Sequence, residues 1–468
     1  MESTAAAAAA MPRLVVAGLS GESGKTLVSL ALLLEAGRRK LPVRAFKKGP
    51  DYIDAAWLGW ASGRPARNLD SHLMGFDAVA HSFARHGVAG GLNLVEGNRG
   101  LYDGLDAQGT HSTAELAKAL NAPVVLVLDA TKVTRTTAAL VLGCQKLDPA
   151  LWIAGVIVNQ VAGRRHARLV REAIESVCGI PVLGMVPRAA PGTLLSTRHL
   201  GLITPQEHRE HQLLNRNLSE LVSRHVDFDR VLETARQAPL VPAPPPPLSS
   251  RCDGTGLAIG YLNDSAFSFY YPENLESLEA AGARLVPISA LNAALLPAGL
   301  DALYIGGGFP ETHARALSEN SSLLASIREA ARAGLPVYAE CGGLMLLSHA
   351  LTWRGAKFAM AGVLPFEVEV CDTPQGHGYT ELLVDRWNPF FAIGTRLRGH
   401  EFHYSRILSN GDSVASACAV LRGCGSGSGR DGVVAGHVYA AYTHLHALGT
   451  PEWTRGMISA ARTAGVFV

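Results

Sequence analysis

Four near-continuous apolar runs mark the first 190 residues: Leu14-Val15-Val16-Ala17, Leu92-Asn93-Leu94-Val95, Val124-Val125-Leu126-Val127-Leu128 and Val156-Ile157-Val158. Runs that are apolar at almost every position, rather than at alternate ones, suit parallel strands covered on both faces. Helical stretches such as Thr26 to Arg39 and Ser112 to Leu120 lie between them. The alternation from Arg13 to about Pro187 predicts a doubly wound α/β sheet. A polar segment, Gln206 to Ala235, follows, and then a polyproline stretch, Ala238 to Pro247, that reads as a semi-rigid linker. A second α/β alternation opens with Leu257-Ala258-Ile259-Gly260-Tyr261 and continues through Leu303-Tyr304-Ile305 and Pro336-Val337-Tyr338-Ala339. The expectation is an α/β chain of two doubly wound domains. Residues 1–10 would be a disordered extension, 11–235 the first domain, 236–256 a Pro-rich linker and 257–468 the second domain. Gly423 to Gly432 reads as a slack Gly/Ser-rich surface loop.

Composition narrows this only a little. The chain has 468 residues, 48% of them hydrophobic and 18% charged, enough for two or three domains with full cores. A net charge of +2 gives no reason to expect nucleic acid or an anionic membrane as partner. Seven cysteines without a CxxC pair fit a reducing cytoplasm better than a disulfide framework. No apolar run reaches the roughly 20 residues of a transmembrane helix, and the alanine-rich start lacks the basic region of a signal peptide.

Two stretches carry chemistry. The first is Gly18-Leu19-Ser20-Gly21-Glu22-Ser23-Gly24-Lys25-Thr26, between a strand and a helix. Such a loop offers backbone N–H groups and a helix N-terminus to phosphates. Gly21, Ser23 and Gly24 would cradle them, Lys25 would reach the β/γ-phosphates of ATP, and Thr26 would hold Mg2+. Gly18 precedes Gly24 by six positions, one more than the commonest form. Glu96, at the carboxyl end of a strand, and Asp51 are candidate magnesium ligands. They are joined by Lys47, Lys48 and Asp54 in a charged cluster, Phe46 to Asp54, of which Lys48 is the phosphate candidate. Asn159 ends another strand and could meet a base edge or cap a helix.

The second is Pro336-Val337-Tyr338-Ala339-Glu340-Cys341-Gly342-Gly343-Leu344, an apolar strand that ends on cysteine and passes at once into an apolar helix. This reads as a nucleophile elbow, with a helix N-terminus expected to lower the thiol pKa and favour the thiolate. A buried structural cysteine is the alternative. The base candidate is His444, in Tyr442-Thr443-His444-Leu445-His446, with His446 as the competing choice. Oxyanion donors are expected from the loop Gly306 to Glu311 and the amide of Gly342.

Together these stretches resemble the cobyrinic acid a,c-diamide synthases. The resemblance extends from Arg13 to the C-terminus and rests on Lys48-Gly49-Pro50-Asp51-Tyr52-Ile53-Asp54, Gly63-Arg64-Pro65 with Arg67-Asn68-Leu69-Asp70, Glu96-Gly97, Gly155 to Asn159, Phe267 to Tyr271 with Glu273-Asn274-Leu275, Ala339-Glu340-Cys341-Gly342-Gly343 and Gly399-His400-Glu401-Phe402-His403-Tyr404-Ser405. It implies a P-loop domain like that of dethiobiotin synthetases, which share the six-residue glycine spacing, fused to a class I glutamine amidotransferase-like domain. It also implies ATP- and glutamine-dependent amidation of two acetate arms of a corrinoid precursor, through an acyl phosphate. A sirohydrochlorin-type tetrapyrrole is the alternative substrate. Many class I amidotransferases carry an orienting glutamate two residues after the base; His446 occupies that position here, so a Cys341–His444 dyad is implied. Asn98-Arg99, where apolar residues are expected, and Glu22 within the phosphate loop depart from the family pattern. The oligomeric state stays open, a homodimer being one option. A non-catalytic P-loop binding protein is the reading outside the enzyme class.

Overall fold

The computed structural model describes residues 9–188, 197–198, 201–208, 210–242, 252–408 and 415–464. The chain divides into two compact units, Met1–Pro246 and Pro247–Val468. Residues 243–247 of the polyproline stretch and the first eight residues lie outside the described residues.

The first unit is built on a seven-stranded sheet, all parallel. Its order is Arg67–Leu69, Val43–Lys48, Leu92–Glu96, Arg13–Gly18, Val124–Asp129, Ile153–Val161, Val182–Pro187. The central strands are buried on both faces, which is why they are written in valine and leucine without alternation. One face packs Phe46, Phe83, Val95 and Leu126 with the flanking helices. The other packs Leu30, Leu33, Trp57 and Val127. The polar segment Gln206 to Ala235, given no element from its sequence, forms helices His211–His225 and Phe228–Arg236. Only Leu214, Leu218 and Val222 of the first of these are buried, a narrow stripe that most of the segment's residues mask. Ala9 and Val241 exchange both backbone hydrogen bonds at 3.0 Å, and buried Arg13 donates to the carbonyls of Leu120, Met11 and Pro239. The end of the expected extension and the start of the expected linker are thus tied to this unit.

The second unit carries a ten-stranded mixed sheet. Five strands run parallel in the order Arg284–Ile288, Ala258–Leu262, Ala302–Ile305, Val337–Glu340, Val438–Ala441. The remainder, Arg430–Ala435, Ser416–Arg422, Gly376–Val384, Arg396–His403 and His444–Leu445, is added antiparallel. The parallel strand Val337–Glu340 leads directly to Cys341; the antiparallel extension ends in His444–Leu445, whose partner is Gly399–His400. All seven cysteines are free thiols. Among the described residues no helix is long and apolar enough to cross a membrane.

Candidate active sites

In the first unit the strand Arg13–Gly18 runs into a loop that hands over to helix Lys25–Arg38. Gly24 takes φ 96°, and a Cβ placed on it would fall 2.2 Å from Asn159 Nδ2. Only glycine fits both the conformation and the space. Asn159 Nδ2 donates to the carbonyl of Ser23 at 3.2 Å, so this residue props the loop. Lys25 Nζ donates to the carbonyl of Ser20 at 2.6 Å, folding back over the cradle. Burial, and then the neighbouring Lys47, pull its pKa down. Glu22 stands exposed at the loop tip with φ 54°, pointing its charge to solvent rather than into the cradle.

The magnesium candidates are only partly together. Thr26 Oγ1 donates to Glu96 Oε1 at 2.9 Å. Buried Lys47 Nζ bridges Glu96 Oε1 at 2.8 Å and Asp54 Oδ2 at 2.7 Å. Lys47 and Asp54, read from the sequence only as members of a charged cluster, are therefore central. Burial works against the charge on Lys47, but Asp54, Glu96 and Asp51 outweigh it and hold the lysine above its ordinary range. Asp51 lies a step away, where it caps helix Tyr52–Ser62 by accepting the N–H of Asp54 at 2.9 Å. Burial, then Asp54, pushes its carboxyl up to about 7. Glu96 is also raised, by burial first. Its second oxygen, Oε2, is buried without a hydrogen-bond partner. A hard, undersatisfied carboxylate oxygen beside a threonine hydroxyl fits Mg2+, which prefers one or two carboxylates plus phosphate and water oxygens to an all-protein cage. Among the described residues no group of three or more His, Cys, Asp or Glu side chains is arranged to hold a metal ion. Lys48 is buried beside Asp70 and Arg99, and burial lowers its pKa. Asn98, the departure from the family pattern, packs its side chain over Gly49: a Cβ there would meet Asn98 Nδ2 at 2.9 Å.

In the second unit Cys341 caps the helix Gly342–Leu347 with φ 48° and ψ −99°. A cysteine with positive φ is held there by its surroundings, as at a strained elbow. Its amide donates to the carbonyl of Ala441 at 2.7 Å, the last residue of the strand that leads to His444. The expectation of a lowered thiol pKa is overturned. Burial, joined by Glu311, Glu340 and Glu401, pushes the thiol above its ordinary range, and the Gly342 amide, which pulls it down, does not compensate. A six-residue helix has too little dipole to offset complete burial among three carboxylates.

The Gly307–Gly308 segment lies against both partners. A Cβ on Gly307 would fall 2.6 Å from His444 Cε1, and one on Gly342 would fall 3.1 Å from the Gly308 nitrogen. Gly306 N–H is committed to the Tyr270 hydroxyl at 2.8 Å and Phe309 N–H to the Ala266 carbonyl at 3.0 Å. His444 is buried; its Nδ1 stands 3.4 Å from Glu340 Oε2, and its ring stacks on His400 at 4.9 Å between centroids. His446 goes elsewhere. Its Nδ1 accepts the Leu448 N–H at 3.2 Å, its Nε2 lies 3.7 Å from Glu273 Oε2, and its ring packs on Tyr271. The strand ends at Leu445, so the alternation that would align the two histidines stops before His446. Glu401, on the strand Arg396–His403, accepts the amides of Cys424 and Gly425 at 2.6 and 2.9 Å. The Gly/Ser-rich loop is therefore anchored beside the site rather than slack.

Residues 14–199 match a family model described as the CobQ/CobB/MinD/ParA nucleotide binding domain, and residues 258–452 one described as the CobB/CobQ-like glutamine amidotransferase domain. The chain is 41% identical over 462 residues to the cobyrinate a,c-diamide synthase of Magnetococcus marinus, covering 98% of each chain. The chain belongs to the cobyrinate a,c-diamide synthase family. Similar proteins of the same name occur in Syntrophotalea carbinolica, at 41% identity over 96% of this chain and 99% of the relative, and in Archaeoglobus fulgidus, at 38% over 96% and 98%. Membership makes the chain a glutamine-hydrolysing carbon–nitrogen ligase. The two sites described above fall in the two matched regions, Lys25, Thr26 and Glu96 in the nucleotide-binding one, and Cys341 and His444 in the amidotransferase one.

Proposed function

We propose that this glutamine-hydrolysing ligase uses ATP and glutamine to amidate the a and c acetate side chains of cobyrinic acid. The observation that carries the reading is the elbow. A buried cysteine with φ 48° is bonded through its own amide to the strand that delivers a buried histidine, and a diglycine segment that touches both supplies backbone amides. Because the resting thiol is held protonated, nucleophile formation and attack are one event. The Cys341 thiol passes its proton to His444 Nε2 as sulfur bonds to the glutamine side-chain carbon. The Gly308 and Gly342 amides face the developing oxyanion. His444 returns the proton to the departing nitrogen, ammonia leaves, and water, deprotonated by the same histidine, cleaves the thioester to glutamate.

In the nucleotide-binding unit, an acetate oxygen of the tetrapyrrole takes the γ-phosphoryl group of ATP, giving an acyl phosphate and ADP. Ammonia then displaces phosphate and leaves the amide. Lys25 and the loop amides of Gly21, Ser23 and Gly24 bind the phosphates, Asn159 keeps the loop in shape, and Lys48 neutralises incoming anionic oxygen. Lys47 fixes Glu96 and Asp54 in place. Thr26 and Glu96, with Asp51 or Asp54 behind them, would hold Mg2+, which supplies charge neutralisation for phosphoryl transfer. A cytoplasmic setting, where ATP and glutamine are available and thiols stay reduced, suits both chemistries.

The test is mass spectrometry of the products from cobyrinic acid and from sirohydrochlorin, each supplied with ATP, Mg2+ and glutamine. Conversion of two acids to amides on cobyrinic acid is expected. Conversion of sirohydrochlorin alone would replace the proposed substrate.

A further inference from the structure

We propose that Glu340 is the positioning residue of the glutaminase site: its carboxylate holds the Nδ1 proton of His444, leaving Nε2 as the base for Cys341. The proposal rests on reading Cys341 and His444 as the glutaminase pair. The position two residues after the base, where an acid could have done this, is occupied by His446, and His446 is turned toward Glu273 and Tyr271. The acid comes instead from the residue immediately before the nucleophile.

Glu340 is the last residue of strand Val337–Glu340 and has no solvent exposure. A carboxylate this deep is costly unless donors surround it. Four do. Oε2 faces His444 Nδ1 at 3.4 Å and accepts the Tyr304 hydroxyl at 3.1 Å. Oε1 accepts the Tyr338 hydroxyl at 3.3 Å and the Leu445 N–H at 3.2 Å. Tyr338 and Glu340 are two apart on one strand and so share a face, while Tyr304 arrives from the neighbouring parallel strand. Burial, with Glu340 close by, pushes both tyrosines far above their ordinary range, so they stay protonated donors. With three donors fixed, the carboxylate can neither turn away nor serve another group, and its remaining acceptor position is the one at His444. The Leu445 bond adds register: the amide next to the base is held by the same carboxylate as the base's ring. Bonds in a ligand-free site are often long and tighten when substrate binds, which the 3.4 Å separation allows. The Cε1 and Nε2 edge of the ring lies over Gly307, on the side of the nucleophile's loop.

The experiment compares Glu340→Gln and Glu340→Asp with the wild-type full-length protein, reading glutamate release and ammonia-dependent amidation side by side. Gln keeps the shape but cannot favour the Nδ1–H tautomer; a kcat loss of about 10²- to 10⁴-fold in glutamine hydrolysis is expected, as for loss of a tautomer-fixing carboxylate. The KM for glutamine and ammonia-dependent amidation should stay close to wild type. Asp, which retains the charge, should recover part of kcat. Equal glutaminase kcat in Glu340→Gln and wild type overturns the proposal. So does a Gln variant that loses both activities together with thermal stability, because that is a packing role. A glutaminase that survives His444→Ala would instead sink the pair on which the proposal rests, a separable outcome.

Discussion

In the nucleotide-binding unit buried Lys47 bridges the carboxylates of Asp54 and Glu96 at the carboxyl ends of the parallel strands, with Lys25 close enough for Lys47 to lower its pKa. At the corresponding end of the second unit burial and the carboxylates of Glu311, Glu340 and Glu401 push the Cys341 thiol above its ordinary range, and Tyr304 and Tyr338 surround Glu340 as protonated donors. Under the function proposed above, the two arrangements match two tasks. A site for a polyanion and a divalent cation must hold fixed charges ready in a dry place, so it stores them as compensating pairs. A site for a neutral amide needs a nucleophile that becomes charged only when substrate arrives, and Cys341 stands at φ 48°, a strained conformation that its surroundings must hold. The lesson is that a sheet terminus offers geometry only, and the neighbouring strands decide whether the site is ionic or latent.

The sharpest break of this comparison comes from Lys47. Lys47→Ala leaves the fully buried Glu96 without its paired cation, takes the partner from half-buried Asp54, and should cost about 3–5 kcal/mol of stability, as for removal of one partner of a buried pair. Synthesis with either nitrogen source should disappear; a melting temperature and ammonia-dependent rate close to wild type would refute the ionic account. Lys25→Ala should keep the fold and lose at least about 10²-fold in amidation from either nitrogen source, the scale of losing one charge partner of the transition state. Near-normal ammonia-dependent rates would remove the loop from the catalytic account.

On the other side of the comparison, His444→Ala should abolish glutamate release about as fully as Cys341→Ala, since members of one catalytic unit are not additive. His446→Ala should keep a measurable fraction. A dead His446 variant beside an active His444 variant would reverse the assignment. The smallest effect concerns the latent thiol. Its pKa in the fold lies above the ordinary 9.0, so the folded chain holds that proton more tightly than the unfolded chain. The contribution is complete below about pH 8.5 and lost as pH rises further. Cys341→Ser, which has no such proton to lose, should therefore gain in urea midpoint relative to wild type at pH 10 but not at pH 7. An unchanged difference at the two pH values would contradict the burial assigned to Cys341.

Much of this was legible in the chain itself. The parallel strands stand out because burial on both faces leaves runs of valine and leucine. The Cys341 elbow stands out because an apolar strand, a nucleophile and two glycines occur in immediate succession. The antiparallel half of the second unit did not: Gly376–Val384 mixes polar and apolar residues on both faces, and its partners lie far along the chain, as Glu381 with Arg422. The lowered thiol pKa failed for a related reason. The helix N-terminus is local and visible, while Glu311 and Glu401 reach the sulfur only through the fold. Glu340 stands in plain sight beside Cys341, but the role proposed for it depends on Val337–Glu340 pairing with Val438–Ala441, which sequence spacing does not show. Lys47 reads from the sequence only as one member of a charged cluster, because two adjacent lysines are indistinguishable without knowing that Asp54 and Glu96 converge on the first.

The most direct test of two separate sites joined only by ammonia is isotopic. Wild type and Cys341→Ala are each given cobyrinic acid and ATP with either amide-labelled glutamine or labelled ammonium, and the product is read by mass spectrometry. Wild type should place the label in both new amides from either source, and Cys341→Ala from ammonium alone. Label from glutamine in the Cys341 variant, or none from ammonium, would contradict the account.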